Sequence, residues 1–196
     1  MVEKTTEITI KTNKLHIMKK ILFIIGSLRE KSFNLQLAKK AEALLEGKAI
    51  VKYLDYRELP LINQDKEFPA PADVAKVREE VTDADALWIF TPEYNFSYPG
   101  HLKNLLDWLS RPVTPMDYAT PTCVNGKRVA VSGAGGKAAT ANCRQKLTEL
   151  LQFLKADVLP EQTGIALQPE CWATDSLLLT DDDTKSLQAQ AAAIME

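Results

Sequence analysis

KKILFIIGSLREKSFN, Lys19 to Asn34, carries the strongest structural signal in the chain. Ile21 to Ile25 run apolar without alternation, so they read as a strand buried on both faces, as in a parallel sheet covered by helices on either side. Gly26 ends the run, and Ser27, Arg29, Ser32 and Asn34 follow before a helical pattern begins at Leu35. Strand, polar loop and helix N-terminus, in that order, form the arrangement in which open α/β sheets hold phosphate groups.

Working outward, residues 33–46 place Leu35, Ala38, Ala41, Leu44 and Leu45 on one helical face, and Gly47 closes that helix. Ala49 to Tyr56 reads as a second strand. The connection after it carries Pro60, Pro69 and Pro71 and is expected to be exposed and free of helix. A helix over 72–82 leads to a third, continuously apolar strand in ALWIFTP. Gly100 to Ser110 is helical by periodicity, with Pro99 just ahead of its start and Asp107 and Trp108 assigned to its packing. Lys127 to Ser132 is the fourth strand, followed by a GAGG turn at 133–136 and a helix over 138–154. A weaker fifth strand falls at 157–159. A last helix begins near Thr180, where Asp181 to Asp183 suit the positive end of a helix. Five strands alternating with helices imply a doubly wound parallel sheet.

Composition narrows the function classes. With 196 residues, 45% of them hydrophobic, the chain has material for one core, and residues 18–196 are expected to form a single domain. The 24 basic residues are scattered among 26 acidic ones, which argues against a nucleic-acid partner. No apolar run approaches the roughly 20 residues of a membrane-spanning helix. Residues 1–17 lack the apolar core of a signal peptide and are expected to be a poorly ordered extension, the alternative being a short edge strand through Ile8 and Ile10. Cys123, Cys143 and Cys171 show no zinc or disulfide spacing and are expected as reduced thiols in the cytoplasm, Cys143 as a small buried helix residue. His101 is expected at the surface, without a chemical role.

In a doubly wound sheet the loops after strands one, three and four share one edge. Loop one offers two hydroxyls, an amide and a cation, a set suited to a phosphate monoester; Ser32 or Asn34 can equally cap the helix, whereas Arg29 is not needed for capping. Neither GxxxxGK[ST] nor GxGxxG is present, which disfavours a nucleoside triphosphatase and a dinucleotide-binding dehydrogenase. Loop three, TPEYNFSYPG at 91–100, sets Tyr94, Phe96 and Tyr98 beside Glu93, Asn95 and Ser97. That mixture suits a planar heteroaromatic ring such as an isoalloxazine, or simply packing over the sheet end or against another subunit. Glu93 is read as an acceptor of hydrogen bonds, not as a base. The glycines after strand four allow close backbone approach to a flat ligand, or an ordinary turn.

With GSLREKSFN and PEYNFSYPGHLKNLLDW both in view, the chain resembles the NADPH-dependent FMN reductase family, the group with bacterial quinone and chromate reductases and azoreductases. The resemblance runs over about residues 19–160. It implies a flavodoxin-like three-layer α/β sandwich, a five-stranded parallel sheet in the order 2-1-3-4-5 with helices on both faces. It implies FMN as cofactor and NADPH or NADH as co-substrate, with hydride passed through the flavin to a small-molecule acceptor of quinone, azo or metal-oxyanion type. Carried over by motif, Ser27, Arg29, Ser32 and Asn34 hold the phosphate and Pro92, Glu93, Tyr94 and Asn95 line the ring. Ser132, Gly133, Gly135 and Gly136 form the third contact, on a turn shorter than is usual for the family. No side chain is then required as acid or base, because the chemistry resides in the cofactor. A homodimer or homotetramer is expected, with the Tyr94–Tyr98 loop and the helix after it as contacts. Lys103, Arg111 and Lys137 are the candidates for a nicotinamide 2′-phosphate. Two rivals are a flavodoxin-type electron carrier and a reductase that supplies free reduced FMN to a monooxygenase.

Overall fold

The structure is a computed structural model that describes residues 18–196; the two readings of residues 1–17 fall outside the described residues. The opening run forms β1 (Lys19–Ile25), and α1 (Phe33–Leu45) follows the polar loop as expected. Then come β2 (Ala49–Tyr53), α2 (Ala72–Asp83), β3 (Ala86–Phe90), α3 (Gly100–Leu109), β4 (Arg128–Gly135) and α4 (Ala141–Phe153). The chain continues through β5 (Asp157–Val158), β6 (Thr163–Ala166), α5 (Pro169–Thr174) and α6 (Asp181–Ala193). All strand pairs are parallel, and the order β2-β1-β3-β4-β5 is the one expected.

The period of two within β1 separates the two cores. Ile21 and Phe23 face a layer made by α1 and α6, where Leu37, Ala41, Leu187 and Ile194 are buried. Leu22 and Ile24 face the opposite layer, built from Val77 and Val81 of α2, Leu102, Leu105 and Leu106 of α3 and Leu147 and Leu151 of α4. Burying each such side chain is worth about 1.5–3 kcal/mol, so the two apolar faces of β1 commit it to the middle of the sheet. The Thr180 hydroxyl accepts from Asp183 N while the Asp183 carboxylate accepts from Thr180 N, a capping box that starts α6 where the Thr/Asp run places it.

The structure departs from the sequence reading in several places, and β2 stops at Tyr53, three residues short of the expected Tyr56. The fourth strand continues three residues past Ser132, and the sheet has a sixth strand: β6 pairs with the second half of β4, Ser132 opposite Thr163 and Gly135 opposite Ala166. β5 pairs with the first half of the same strand, Val129 opposite Val158. The fifth position of the sheet is therefore filled by two short strands in line. The connection between them is held by Gln190, fully buried on α6: its Nε2 donates to Val131 O at 2.9 Å and Glu161 O at 2.8 Å, and its Oε1 accepts from Ser132 Oγ at 2.6 Å. Ser132 Oγ in turn accepts from Trp88 Nε1 at 2.8 Å.

The Pro-rich connection after β2 also differs. It contains a short 3₁₀ turn, Gln64–Lys66, and is pinned to α3. Asn104 accepts from Ile62 N and donates to Pro60 O, Trp108 Nε1 donates to the same carbonyl, and buried Glu67 accepts two hydrogen bonds from Arg111. Among the described residues no helix is long and apolar enough to cross a membrane.

Replacing Gln190 with alanine removes three buried hydrogen bonds at about 1 kcal/mol each, and denaturant unfolding is expected to show a loss of about 3 kcal/mol. Gln190→Glu, which places a carboxylate against the Val131 and Glu161 carbonyls, is expected to cost at least as much.

Candidate functional site

Three strand ends converge on Thr91. Gly26 N donates to Phe90 O at 2.7 Å and Thr91 N to Ser132 O at 2.9 Å. A Cβ on Gly26 would lie 2.8 Å from Thr91 Oγ1, and one on Gly133 would lie 2.5 Å from Thr91 O and 2.1 Å from Thr140 Oγ1. Loops one and three, and the end of β4, are thus in direct backbone contact at the carboxyl edge of β1, β3 and β4. Between β1 and β3 the chain changes direction across the sheet, the place where doubly wound folds bind ligands.

Loop one retains donors for an anion. Ser32 is the N-cap of α1, its Oγ accepting from Asn34 N at 3.2 Å and Leu35 N at 3.4 Å, and Ser27 Oγ accepts from Arg29 N at 3.4 Å. Each hydroxyl still has its own hydrogen to donate. The amides of Leu28, Glu30 and Lys31 donate to no protein acceptor among the described residues. Arg29 is half exposed, its Nη1 on Asp175 Oδ1 at 2.7 Å and its Cζ 5.1 Å from the Phe33 ring centre. Asn34 is committed elsewhere. It is buried, with Nδ2 donating to Ala134 O at 3.1 Å and Oδ1 accepting from Ala134 N at 2.8 Å. It neither caps α1 nor leaves its amide free: it ties the start of α1 to the end of β4.

Loop three is a two-residue hairpin. Tyr94 and Ser97 exchange backbone hydrogen bonds of 2.9 and 3.0 Å, and Asn95 and Phe96 between them have φ of 51° and 60°, the signature of a type I′ turn. Asn accepts this conformation readily. Phenylalanine does not, at a cost of about 1–2 kcal/mol, yet Phe96 is held there with 68% of its surface exposed, beside Tyr94 at 50%. Pro92, next to Thr91, is partly buried at the base of this hairpin. Glu93 turns away to α4: Oε2 accepts from Cys143 N at 2.9 Å and Oε1 from Asn142 Nδ2 at 3.3 Å. Cys143 N is the third amide of α4, the usual partner of an N-cap side chain. The residue in the N-cap position, Thr140, is left-handed (φ 58°) and makes no such bond, so a carboxylate fifty residues upstream does it instead.

The third segment is less open than the sequence suggests. Ser132 is buried in the Trp88–Gln190 network. Gly133 and Gly135 leave room for Thr140, whose side chain would meet a Cβ at either position. Gly136 alone of the three has open space where a Cβ would stand. Ala139 and Thr140 are both left-handed, which is why α4 begins at Ala141 and not at Ala138.

Other candidates sort by their partners. Lys103 pairs with Asp107 and Arg111 with Glu67, whereas Lys137 stands exposed beside Gly136 and has no acidic partner among the described residues. His101 is not a surface residue as expected: it is partly buried, stacked on Tyr56 at 5.8 Å, and desolvation lowers its pKa. Tyr56, whose hydroxyl donates to Ile25 O at 2.7 Å, has its pKa raised by burial. A groove of about 550 Å³ opens on the β2 side of loop one, bordered by Ser27, Arg29, Leu35, Lys39, Tyr53 and Tyr56, with no lining from loop three. Thr91, Thr140 and Asp175 are the site residues that sequence reasoning misses. They are ordinary residue types whose importance lies in tertiary contacts: Thr91 with Gly26 and Gly133, Thr140 with Gly133 and Gly135, and Asp175 with Arg29.

The comparisons with known proteins are consistent with this edge. The family model described as NADPH-dependent FMN reductase matches residues 19–169. A 2-hydroxy-1,4-benzoquinone reductase of Burkholderia sp is 45% identical over 93 residues, 47% of this chain and about half (51%) of that protein. An NAD(P)H-dependent FMN reductase of Pseudomonas aeruginosa is 33% identical over 178 residues, 89% of this chain and 92% of that protein. Among solved structures, the flavoenzyme NAD(P)H:(acceptor) oxidoreductase of Paracoccus denitrificans superposes with a TM-score of 0.78 at 31% identity, covering 91% of this chain and 96% of that one.

Two outcomes follow from the geometry around α4. Glu93→Ala is expected to cost about 1–2 kcal/mol in denaturant unfolding, in the range of a lost helix cap, and Glu93→Gln a smaller part of it. Cys143 is buried, and desolvation, reinforced by Glu93, pushes its thiol up to about 11. It therefore stays protonated at pH 8, and iodoacetamide at that pH is expected to leave Cys143 unmodified in the folded protein and to label it after unfolding, as read by peptide mass spectrometry.

Proposed function

Since the chain belongs to the NADPH-dependent FMN reductase family, we propose that it is an NAD(P)H oxidoreductase whose FMN lies across the carboxyl ends of β1, β3 and β4 and whose electron acceptor is a quinone or another flat oxidant. The observation that carries this reading is the junction at Thr91, which joins a donor-rich loop at a helix N-terminus to an exposed aromatic hairpin on one sheet edge. When bound, FMN accepts hydride from the nicotinamide and delivers electrons to the acceptor, so the chemistry is the cofactor's.

The residues present fit that group. The hydroxyls of Ser27 and Ser32, the free amides of loop one and the remaining N–H groups of Arg29 offer donors for all three terminal oxygens of a phosphate monoester, and the N-terminus of α1 adds a favourable dipole. Tyr94, Asn95 and Phe96 provide an aromatic and polar edge for a ring, and Gly136 permits close approach from the third segment. Asn34, Glu93, Ser132, Gly133 and Gly135 support the reading differently from a direct ligand role. They hold the three segments in register, and their side chains, or the lack of one, are spent on protein contacts. Arg29 and the near-neutral charge also argue against a flavodoxin-type carrier, a class that tends to be strongly acidic with a phosphate loop that lacks arginine.

The quinone assignment draws on the benzoquinone reductase relative, and azo and metal-oxyanion acceptors extend it. We further read residues 18–196 as one domain, the protein as cytoplasmic, and the assembly as a homodimer or homotetramer through the Tyr94–Tyr98 hairpin and α3. The exposure of Tyr94 and Phe96 supports that contact, and sedimentation or light scattering tests it.

Purified protein is expected to carry or take up FMN, to be bleached by NADPH without oxygen and to be recoloured by benzoquinone. A preparation that takes up no flavin removes the reading, and one that NAD(P)H cannot bleach shifts it to the carrier. Arg29→Ala is expected to weaken FMN by about tenfold to a hundredfold, the worth of one charge-assisted contact, while riboflavin, which lacks the phosphate, is unaffected. Turnover with both nicotinamides against quinones, azo dyes, chromate and free FMN then identifies the acceptor class.

A further inference from the structure

We propose that Asp175 is a positioning residue for the phosphate site: clamped to α1 by Gln36, it fixes the guanidinium of Arg29 at loop one before the ligand arrives. The inference rests on the FMN reading above and concerns a residue beyond position 169, where the family match ends.

The clamp is a single amide. Gln36, one turn into α1, donates from Nε2 to Asp175 O at 3.1 Å and accepts at Oε1 from Leu177 N at 2.7 Å, so both ends of its side chain grip the backbone after α5. Asp175 terminates α5 in the left-handed conformation (φ 55°). Its carboxylate then meets Arg29 Nη1 at 2.7 Å across 146 residues of sequence. The same segment also supports the ring over which the guanidinium lies. Trp172 of α5 packs edge-on against Phe33 at 5.1 Å, and Phe33 is the ring over which Arg29 Cζ lies. α1 and α5 together thus hold one arginine by a carboxylate and an aromatic ring.

The pair is too exposed for its main consequence to be stability. Arg29 and Asp175 side chains are 49% and 38% exposed, the regime in which ion pairs contribute little to folding. Its effect lies in the rotamers it removes. A free arginine loses much conformational freedom on binding, and a guanidinium already held in place loses less. Asp175 occupies one of the five N–H donors of Arg29, which leaves the rest for a phosphate. A carboxylate at this distance also offsets the positive charge, so positioning and shielding predict opposite effects on affinity.

Equilibrium titration of FMN and of riboflavin, followed by quenching of flavin fluorescence, separates them in wild type, D175N, D175G, R29A and R29A/D175G. Asn and Gly both accept the left-handed backbone at position 175, so neither substitution strains the end of α5. Asn also retains an oxygen that accepts from Arg29. D175G is expected to weaken FMN by about tenfold with riboflavin unchanged, D175N to remain within about threefold of wild type, and D175G to have no further effect once Arg29 is alanine. Tighter FMN binding in D175G or D175N would show that Asp175 shields the site and would overturn the proposal. Unchanged FMN binding in D175G, equal losses for both flavins, or the same loss in the R29A background would overturn it as well. Failure of the wild type to bind either flavin would instead remove the functional reading, whereas a wild type that binds FMN without coupling between positions 29 and 175 removes this inference alone.

Discussion

The lack of any side chain at Gly26 and Gly133, on either side of Thr91, is the constraint on which the site depends. A Cβ at position 133 would have to displace the backbone oxygen of Thr91, which a packed sheet does not yield cheaply. With hydrogen atoms there instead, β1 and β3 end level with Ser132 of β4, and the loops that leave them emerge beside the second half of that strand. Asn34 extends the same constraint to a helix: its two hydrogen bonds to Ala134 fix the first turn of α1 against the end of β4, 100 residues away. The N-terminus of α1 is therefore positioned by the sheet, the outside support that a preorganised anion site requires.

Glu93 serves the same end from loop three. Its carboxylate stands at the N-terminus of α4 and binds the hairpin base to that helix, so the orientation of Tyr94 to Phe96 is set by a helix cap. An exposed phenylalanine in a left-handed turn is a local conflict between residue and conformation. Such conflicts persist where the surroundings over-determine the backbone, and here Thr91, Pro92 and the Glu93 cap lie directly beneath it. The aromatic edge of the site is thereby made rigid at its root while its tip stays open.

What was legible in the sequence follows the range of the interactions involved. The unbroken apolar run of β1, the proline before α3 and the Thr/Asp start of α6 are local signals, and the structure agrees with each. The extension of β4 is hidden because glycines are poor strand formers, and Gly133 and Gly135 read as a turn until β6 is seen to pair with them. β6 itself, TGIA, is short and contains a glycine, and its place depends on a buried glutamine of α6 that grips the connection before it. Ser32 and Asn34 look equivalent in the motif. Only the contact with Ala134 distinguishes the cap from the clamp, and no spacing rule contains it.

The same distinction bears on how a motif is read as a site. In GSLREKSFN the residues divide into those that present donors, Ser27, Arg29 and Ser32, and one that holds the presenting frame, Asn34. In the 132–136 segment the frame dominates, since Ser132, Gly133 and Gly135 are spent on Trp88, Gln190, Thr91 and Thr140, and Gly136 alone faces open space. On the proposed FMN reading, a substitution in the frame acts through stability and geometry and is expected to affect FMN and riboflavin alike. One in the presenting set is expected to act through the phosphate alone. Arg29 stands at the boundary of the two groups: it presents donors, and the carboxylate that holds it, Asp175, lies outside the motif.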